Sequence, residues 1–266
     1  MTDGAAFFSG HNLRVGFYDL LFGRASNLIG EAEFYRDFTA GTGSVLEAAC
    51  GSGRLFPALG APGRLLVGFD ASVELLQQAQ THYGGNTDLG RPLLCAQRME
   101  NFAFGCRFER IIVGYYGLSY VLDPDGRRSF LQRIADHLTP DGQAVLHLPD
   151  ADLLRRPVPQ SEIDAQRGSL VLQSEVPNFT GRLSYQTIDS RVEQDGRIHV
   201  TELTFALLDE SGAMILREES AAMQYAILDR QDIETLAASA GLKLTGCRSG
   251  FTEDNESELI VTLVRA

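Results

Sequence analysis

The sequence predicts an α/β fold: a doubly wound, mostly parallel seven-stranded sheet carrying an inserted antiparallel β element. Three observations predict it. Between Ser44 and Pro149 five short apolar runs alternate with helical patterns, which calls for right-handed crossovers and a parallel sheet. After residue 155 the helical spacing gives way to period-two alternation broken by turn signals, as antiparallel strands require. A last helical pattern and two apolar runs then close the chain.

Residues 11–40 have amphipathic helical spacing: Tyr18 and Phe22 stand four apart, as do Phe34 and Phe38, so each pair shares a face. The five runs that follow are Val45–Ala49, Leu65–Phe69, Pro92–Cys95, Ile111–Val113 and Ala144–Leu148. Runs this short, apolar on both faces, suit parallel strands covered by helices on either side. Ser72 is placed to cap a helix expected to bury Val73, Leu76 and Ala79. Phe130, Ile134 and Leu138 form a stripe that ends before a turn at Pro140-Asp-Gly142.

Pro157 and Pro159 mark a polar linker. Asp195-Gly196 then separates Tyr185–Val192 from Ile198–Leu208, a strong hairpin signal. The apolar parity shifts between Val200 and Leu203, which predicts a bulge. A second turn at Asp209-Glu-Ser-Gly212 leads into Ala213–Ile227. Asp229 caps a helix through Ile233, Leu236 and Ala240 that stops at Gly241, and strands near Leu242–Cys247 and Glu258–Val264 finish the chain. Residues 1–40 thus read as an N-terminal helical lid, 41–154 with 228–266 as the α/β domain, and 155–227 as the inserted element.

A chain of 266 residues, 44% hydrophobic and 22% charged, suffices for one large α/β domain with an insertion. Its 35 Asp and Glu residues against 23 Lys and Arg leave a formal charge of −12. Such a surface repels phosphate backbones and anionic lipid heads, which argues against nucleic acids and membranes as main partners. Four cysteines (Cys50, Cys95, Cys106, Cys247) form no CxxC pair and no ligand spacing with histidine, so they read as reduced residues. The N-terminus lacks the basic flank and apolar stretch of a signal peptide, and no apolar run approaches the roughly 18 residues of a membrane span. The expectation is a reduced, cytoplasmic protein.

Chemistry concentrates in Val45-Leu-Glu-Ala-Ala-Cys-Gly51-Ser-Gly53-Arg54, where an apolar strand ends in an acid and enters a glycine-rich turn. Glycines suit such a turn because it needs unusual backbone angles and lets a ligand lie on the main chain. Seventeen residues past Gly53 the second strand ends at Asp70, placed to accept both hydroxyls of an adenosine ribose. Phe56 stands where a dinucleotide fingerprint has Gly or Ala, and Glu47 would oppose a pyrophosphate. A ligand whose tail is an amino acid with a cationic amine meets neither obstacle.

With these residues the chain resembles the class I S-adenosylmethionine-dependent methyltransferases, of the small-molecule type. The likeness runs from Leu-Glu-Ala-Ala-Cys-Gly-Ser-Gly-Arg and Gly-Phe-Asp-Ala-Ser through Arg98-Met-Glu-Asn-Phe102, the Phe108–Leu122 stretch and His137-Leu-Thr-Pro-Asp-Gly-Gln-Ala-Val-Leu146. It implies a Rossmann-like domain that binds S-adenosylmethionine and releases S-adenosylhomocysteine, with Glu47, Ala49, Gly51 and Gly53 around the methionine portion. Asp70 would bind the ribose and Ala71 would lie against the adenine. The Met99 backbone would meet the ring; the family often has Asp before that Met, and here Arg98 stands instead. Tyr115 would sit beside the sulfur, and Tyr18 would cover the cofactor from the N-terminal helix. Packing in the core is the plain alternative for Tyr18, Tyr115 and Met99.

Ligands in open α/β sheets lie beyond the carboxyl ends of the strands, so His147 and Tyr116 are the acceptor-side candidates. A hydrogen-bonded core histidine is the other reading of His147. His11 could belong to the lid; His82, His137 and His199 look like surface positions. No carboxylate–histidine cluster suggests a metal. The inserted strands, with Phe7, Phe8, Phe17, Tyr18 and Phe22, would wall in a small-molecule acceptor, or pair subunits into a homodimer through an exposed edge. A non-catalytic cofactor-binding module and, more remotely, a nicotinamide oxidoreductase are the rival functions.

Overall fold

The apolar runs pair into two sheets in a computed structural model of the chain, which describes residues 7–8, 10, 12–23, 28–165, 167–171, 181–252 and 258–266. The central sheet holds β1 (Ser44–Ala48), β2 (Leu65–Asp70), β3 (Leu93–Ala96), β4 (Phe108–Val113) and β5 (Leu138–Pro149). The second sheet is β6 (Arg167–Val171), β7 (Gly181–Glu193), β8 (Ile198–Asp209) and β9 (Met214–Ala226), all antiparallel; β10 (Leu242–Ser249) and β11 (Glu258–Arg265) then return to the first. Across the central sheet the order is β10-β11-β5-β4-β1-β2-β3, with β1 to β5 parallel and β11 antiparallel to β5. The seven-stranded, mostly parallel α/β fold is as the sequence predicts.

Helices are short except where they cover this sheet. They are α1 (Leu13–Gly16), α2 (Glu31–Phe38), α3 (Phe56–Leu59), α4 (Val73–Tyr83), α5 (Pro124–His137), α6 (Ala151–Arg155), α7 (Gln160–Ala165) and α8 (Arg230–Ser239). Between its edge strands the sheet is buried on both faces, which is why β1, β2, β4 and β5 carry apolar runs rather than alternation, while β3 and β10 at the edges are partly exposed. Leu46, Ala48, Ile111, Val113, Leu146 and Leu148 pack with Phe130 and Ile134 of α5 and Ile233 of α8. The intervening Val45, Ile112 and Val145 face Tyr35 of α2, Phe56 of α3 and Leu76 of α4. A third cluster joins the N-terminal segment, through Phe7 and Leu13, to Leu183, Leu203 and Phe205 of the second sheet.

Local signals placed most boundaries. Ser72 accepts from Leu75 N, and Asp229 and Asp232 cap α8 reciprocally. The register slips near the predicted bulge but not on β8 itself: Val200 to Leu203 pair regularly with β9, and the extra residues fall on the partners, at Ile188 of β7 and between Glu218 and Ala221 of β9. Four further details differ from expectation. Residues 13–38 are not one helix but α1, a π turn at Asp19–Gly23 and α2. Leu75, not Val73, turns inward on α4, because the helix rotates to put Leu75, Leu76 and Ala79 on the sheet. Thr139 to Gly142 form an irregular start to β5 rather than a free turn. Short helices α6 and α7 flank the expected linker prolines.

Phe56 fills the layer between α3 and the sheet. A Cβ on Gly68 would come within 2.6 Å of Phe56 Cζ and 2.9 Å of Cys50 Sγ. We therefore expect Gly68→Ala to overpack this layer and cost about 1–3 kcal/mol in urea denaturation; an unchanged midpoint would show that Phe56 can move aside.

Candidate active site

The strand order reverses between β1 and β4, and at such a switch point the loops beyond the strand ends part to leave a crevice. That crevice is a partly enclosed cleft with about 780 Å³ of empty space, some of it open to solvent. Its walls bring together Tyr18, Ala49, Gly51, Asp70, Ala71, Met99 and Tyr115, seven of the residues singled out in the sequence. Phe8, Tyr120, Gln97, Arg98 and Glu100 complete much of the rest.

The glycine turn and Asp70 face one another directly. Asp70 Oδ2 accepts from Gly51 N at 2.8 Å, and Oδ1 accepts from Ser72 N at 2.8 Å. Burial raises the Asp70 carboxyl above its ordinary range, with the backbone N–H groups of Ser72, Gly51 and Ala71 opposing. Gly51 (φ 54°) and Gly53 (φ 80°) both take left-handed angles. A Cβ on Gly53 would strike Phe56 at 2.6 Å. Gly53 thus serves close packing of the turn on α3, and it is not among the residues lining the cleft.

Beneath the turn lies a layer of buried charge. Arg54 meets both oxygens of Glu31, at 2.5 and 3.0 Å, and its guanidinium lies 5.5 Å from the centre of the Tyr115 ring. Burial works against the Arg54 charge, but Glu31 outweighs it and holds the guanidinium above its ordinary value. Glu47, 4% exposed, keeps Oε2 without a hydrogen-bond partner among the described residues. Burial pushes its carboxyl up to about 8, and Arg54 only partly offsets this.

His147 and Tyr116 stand behind the cleft wall, not on it. Alternation along β5 sends Leu146 and Leu148 to the α5 face and His147 to the opposite one, where its ring lies 4.8 Å from that of Phe251. The ring is fully buried. Nδ1 accepts from Tyr115 N at 3.2 Å and Nε2 contacts Glu258 Oε2 at 2.6 Å, so both nitrogens are engaged. Tyr116 donates its hydroxyl to Glu258 Oε1 at 2.8 Å. The hydroxyls of Tyr18, Tyr115, Tyr116, Tyr120 and Tyr225 are all shifted upward, chiefly by burial, so each is a neutral phenol at ordinary pH. Neither His147 nor any of these tyrosines offers a free base.

Tyr115 (φ 41°) and Tyr116 (φ 65°) are consecutive left-handed residues, each costing about 1–3 kcal/mol that surrounding contacts must offset. Their rings stack at 5.1 Å. Beyond them the inserted sheet contributes Tyr225, whose hydroxyl lies 3.0 Å from that of Tyr120, and Phe8 packs edge-on against Tyr18 and Tyr120. His137 and His199, expected at the surface, are buried because Arg133 O and Leu154 O each bind a ring nitrogen. His82 is half-exposed beside Asp19, and His11 lies outside the described residues. Among the described residues no cluster of His, Cys, Asp or Glu could hold a metal, and no helix is long and apolar enough to cross a membrane.

Residues 45–142, from β1 to the start of β5, match the family model described as a methyltransferase domain. This segment is similar to methyltransferase domains. Solved structures share the whole architecture. A S-adenosylmethionine-dependent methyltransferase from Clostridium acetobutylicum superposes with a TM-score of 0.71 at 16% identity, covering 95% of this chain and 97% of that one. The sugar N-methyltransferase KedS8 from Streptoalloteichus scores 0.68 at 18% identity over 93% and 92% of the two chains. The amino pentose methyltransferase CalS10 from Micromonospora echinaspora, solved with S-adenosylmethionine bound, scores 0.67 at 17% identity over 95% and 99%. No curated protein matches the chain by sequence.

S-adenosylmethionine is bound in the similar amino pentose methyltransferase structure, and the residues present here fit that molecule. Glu47, unlike Asp70, is not among the residues lining the cleft; its orphaned oxygen lies buried near the end of β1, where the ammonium of the cofactor's amino acid end would answer it. Asp70 takes Gly51 N on Oδ2 and Ser72 N on Oδ1, with Ala71 N also acting on the carboxyl, so the carboxylate's four acceptor sites still leave room for a ribose hydroxyl. What the sequence reading missed are Glu31 and Glu258, the acids that tie down Arg54, His147 and Tyr116. A carboxylate opening the last apolar strand was the available signal for Glu258.

A carboxyl raised from the ordinary 4.5 to about 8 by folding adds stability at low pH and loses it as pH rises through about 8. Thermal unfolding of the ligand-free wild type should therefore weaken between about pH 5 and pH 9 more steeply than that of Glu47→Gln. Parallel pH profiles for the two proteins would remove the charge on Glu47 from this account.

Proposed function

We propose that the chain transfers a methyl group from S-adenosylmethionine to a nitrogen or oxygen of a small-molecule acceptor. The observation that carries this reading is the shared cleft, where Gly51 N and Asp70 Oδ2 are hydrogen-bonded at 2.8 Å and both face the same space. When bound, the cofactor supplies a methyl carbon made electrophilic by its sulfonium. The chain's task is then to hold the acceptor in line with it, and alignment alone can supply on the order of 7 kcal/mol.

In this reading Asp70 holds the ribose, Ala71 and the Met99 backbone flank the adenine, and Glu47 with the turn at Ala49 and Gly51 holds the amino acid end. Gly53 contributes by packing the turn on Phe56. Tyr18 and Tyr115 line the middle of the cleft, where their rings exclude water and present π faces to positive charge. The acceptor enters between Phe8, Tyr120 and the inserted sheet. A nitrogen acceptor suits this site better than an alcohol. A neutral amine attacks without prior loss of a proton, and the phenols here are held protonated by burial. The sugar N-methyltransferase and the amino pentose methyltransferase among the similar structures support the same preference.

Titration calorimetry with S-adenosylhomocysteine and mass spectrometry of an amine and phenol panel test the reading together. We expect binding, and a mass gain of one methyl on an amine. Asp70→Ala should lose charge-assisted hydrogen bonds worth about 1.5–3 kcal/mol, weakening S-adenosylhomocysteine at least tenfold. Unchanged affinity in the folded variant would take Asp70 out of the site. Preferential binding of NADH would overturn the methyltransferase reading itself.

A further inference from the structure

Glu258 lies 142 residues from Tyr116 in sequence and opens β11, yet it is 5% exposed and engages two donors at once. We infer that Glu258 is a positioning residue: together with His147 it holds the Tyr115–Tyr116 turn in place and thereby sets the wall of the cofactor cleft. The inference rests on the reading that this cleft takes S-adenosylmethionine.

The contacts form a closed set. Tyr115 N donates to His147 Nδ1 at 3.2 Å, and Tyr116 N donates to His147 O at 3.0 Å. Because Nδ1 accepts, the neutral ring carries its proton on Nε2 and gives it to Glu258 Oε2 at 2.6 Å. The other oxygen of Glu258 takes the Tyr116 hydroxyl at 2.8 Å. A carboxylate is the side chain that can accept both. An amide offers one acceptor and one donor, so in Glu258→Gln one of the two donors, the His147 N–H or the Tyr116 O–H, confronts an NH2 group.

The turn needs such a clamp because Tyr115 and Tyr116 both hold left-handed angles that unconstrained side-chain-bearing residues leave. Tyr115 lines the cleft between Gly114 and Gly117, with Arg54 over its ring. Its position reaches the ligand directly, whereas Glu258 and His147 act only through it. Backbone pairing sets the clamp in turn: Glu258 sits opposite Pro149 and Ile260 opposite His147 in the antiparallel register of β11 and β5.

The test is a double-mutant cycle on S-adenosylhomocysteine affinity, using His147→Asn, Glu258→Gln and both together. Val261→Ala, a core change on the same strand, is the control for general destabilisation. Each single change should weaken binding about fivefold or more, and the double variant no further than the worse single one, because the pair acts as a unit. Val261→Ala should melt earlier with affinity within about twofold of wild type. Nitrogen-15 spectra of the histidine rings should show His147 as the Nε2–H tautomer in the wild type and lose that signature in Glu258→Gln.

Affinity in Glu258→Gln within twofold of wild type would overturn the inference, as would independent, additive losses or an affinity loss in Val261→Ala as large as that in Glu258→Gln. If the wild type binds no S-adenosylhomocysteine, the cofactor reading falls instead. The ring-nitrogen signature, which needs no ligand, then still decides whether Glu258 fixes His147.

Discussion

The cleft exists because one carboxylate ties together two strand ends. Asp70 finishes β2, and its oxygens accept from Gly51 N in the turn after β1 and from Ser72 N at the cap of α4. Each of these N–H groups points away from a strand ladder and would otherwise need water or a ligand. By gathering them, Asp70 fixes how far the glycine turn can open and keeps α4 beginning at the same place. Phe56 supplies the matching constraint from below, wedged against the planes of Gly53 and Gly68.

Around this joint the protein spends stability to keep polar groups buried. Glu47 is held near neutrality by its surroundings, Arg54 is committed to Glu31, and two left-handed tyrosines follow β4. Such features are costly in a core whose other contacts are apolar. They gather at the carboxyl end of the sheet, beyond the apolar layer of Ile111, Phe130 and Ile134.

One face of the inserted sheet makes two kinds of contact. Leu183, Leu203 and Phe205 bury the N-terminal segment, which Glu218 holds by accepting from Leu13 N and pairing with Arg14. Tyr225 on the same sheet reaches Tyr120 at the cleft. One element thus contacts both the N-terminal segment and the wall of the cleft at Tyr120.

The sequence by itself determined the α/β class, the strand runs, the caps Ser72 and Asp229, and the pairing of a glycine turn with Asp70. These are local signals: period, capping chemistry and turn residues act within a few positions, so the chain carries them before it folds. Tertiary structure alone decided that His147 turns from the cleft into a cage formed by Phe251, Tyr115 N and Glu258, and that Glu31 neutralises Arg54. It also decided the burial of His137 and His199. Those outcomes depend on which distant strand or helix supplies a hydrogen-bond partner, and the spacing of residues along one segment holds no record of that.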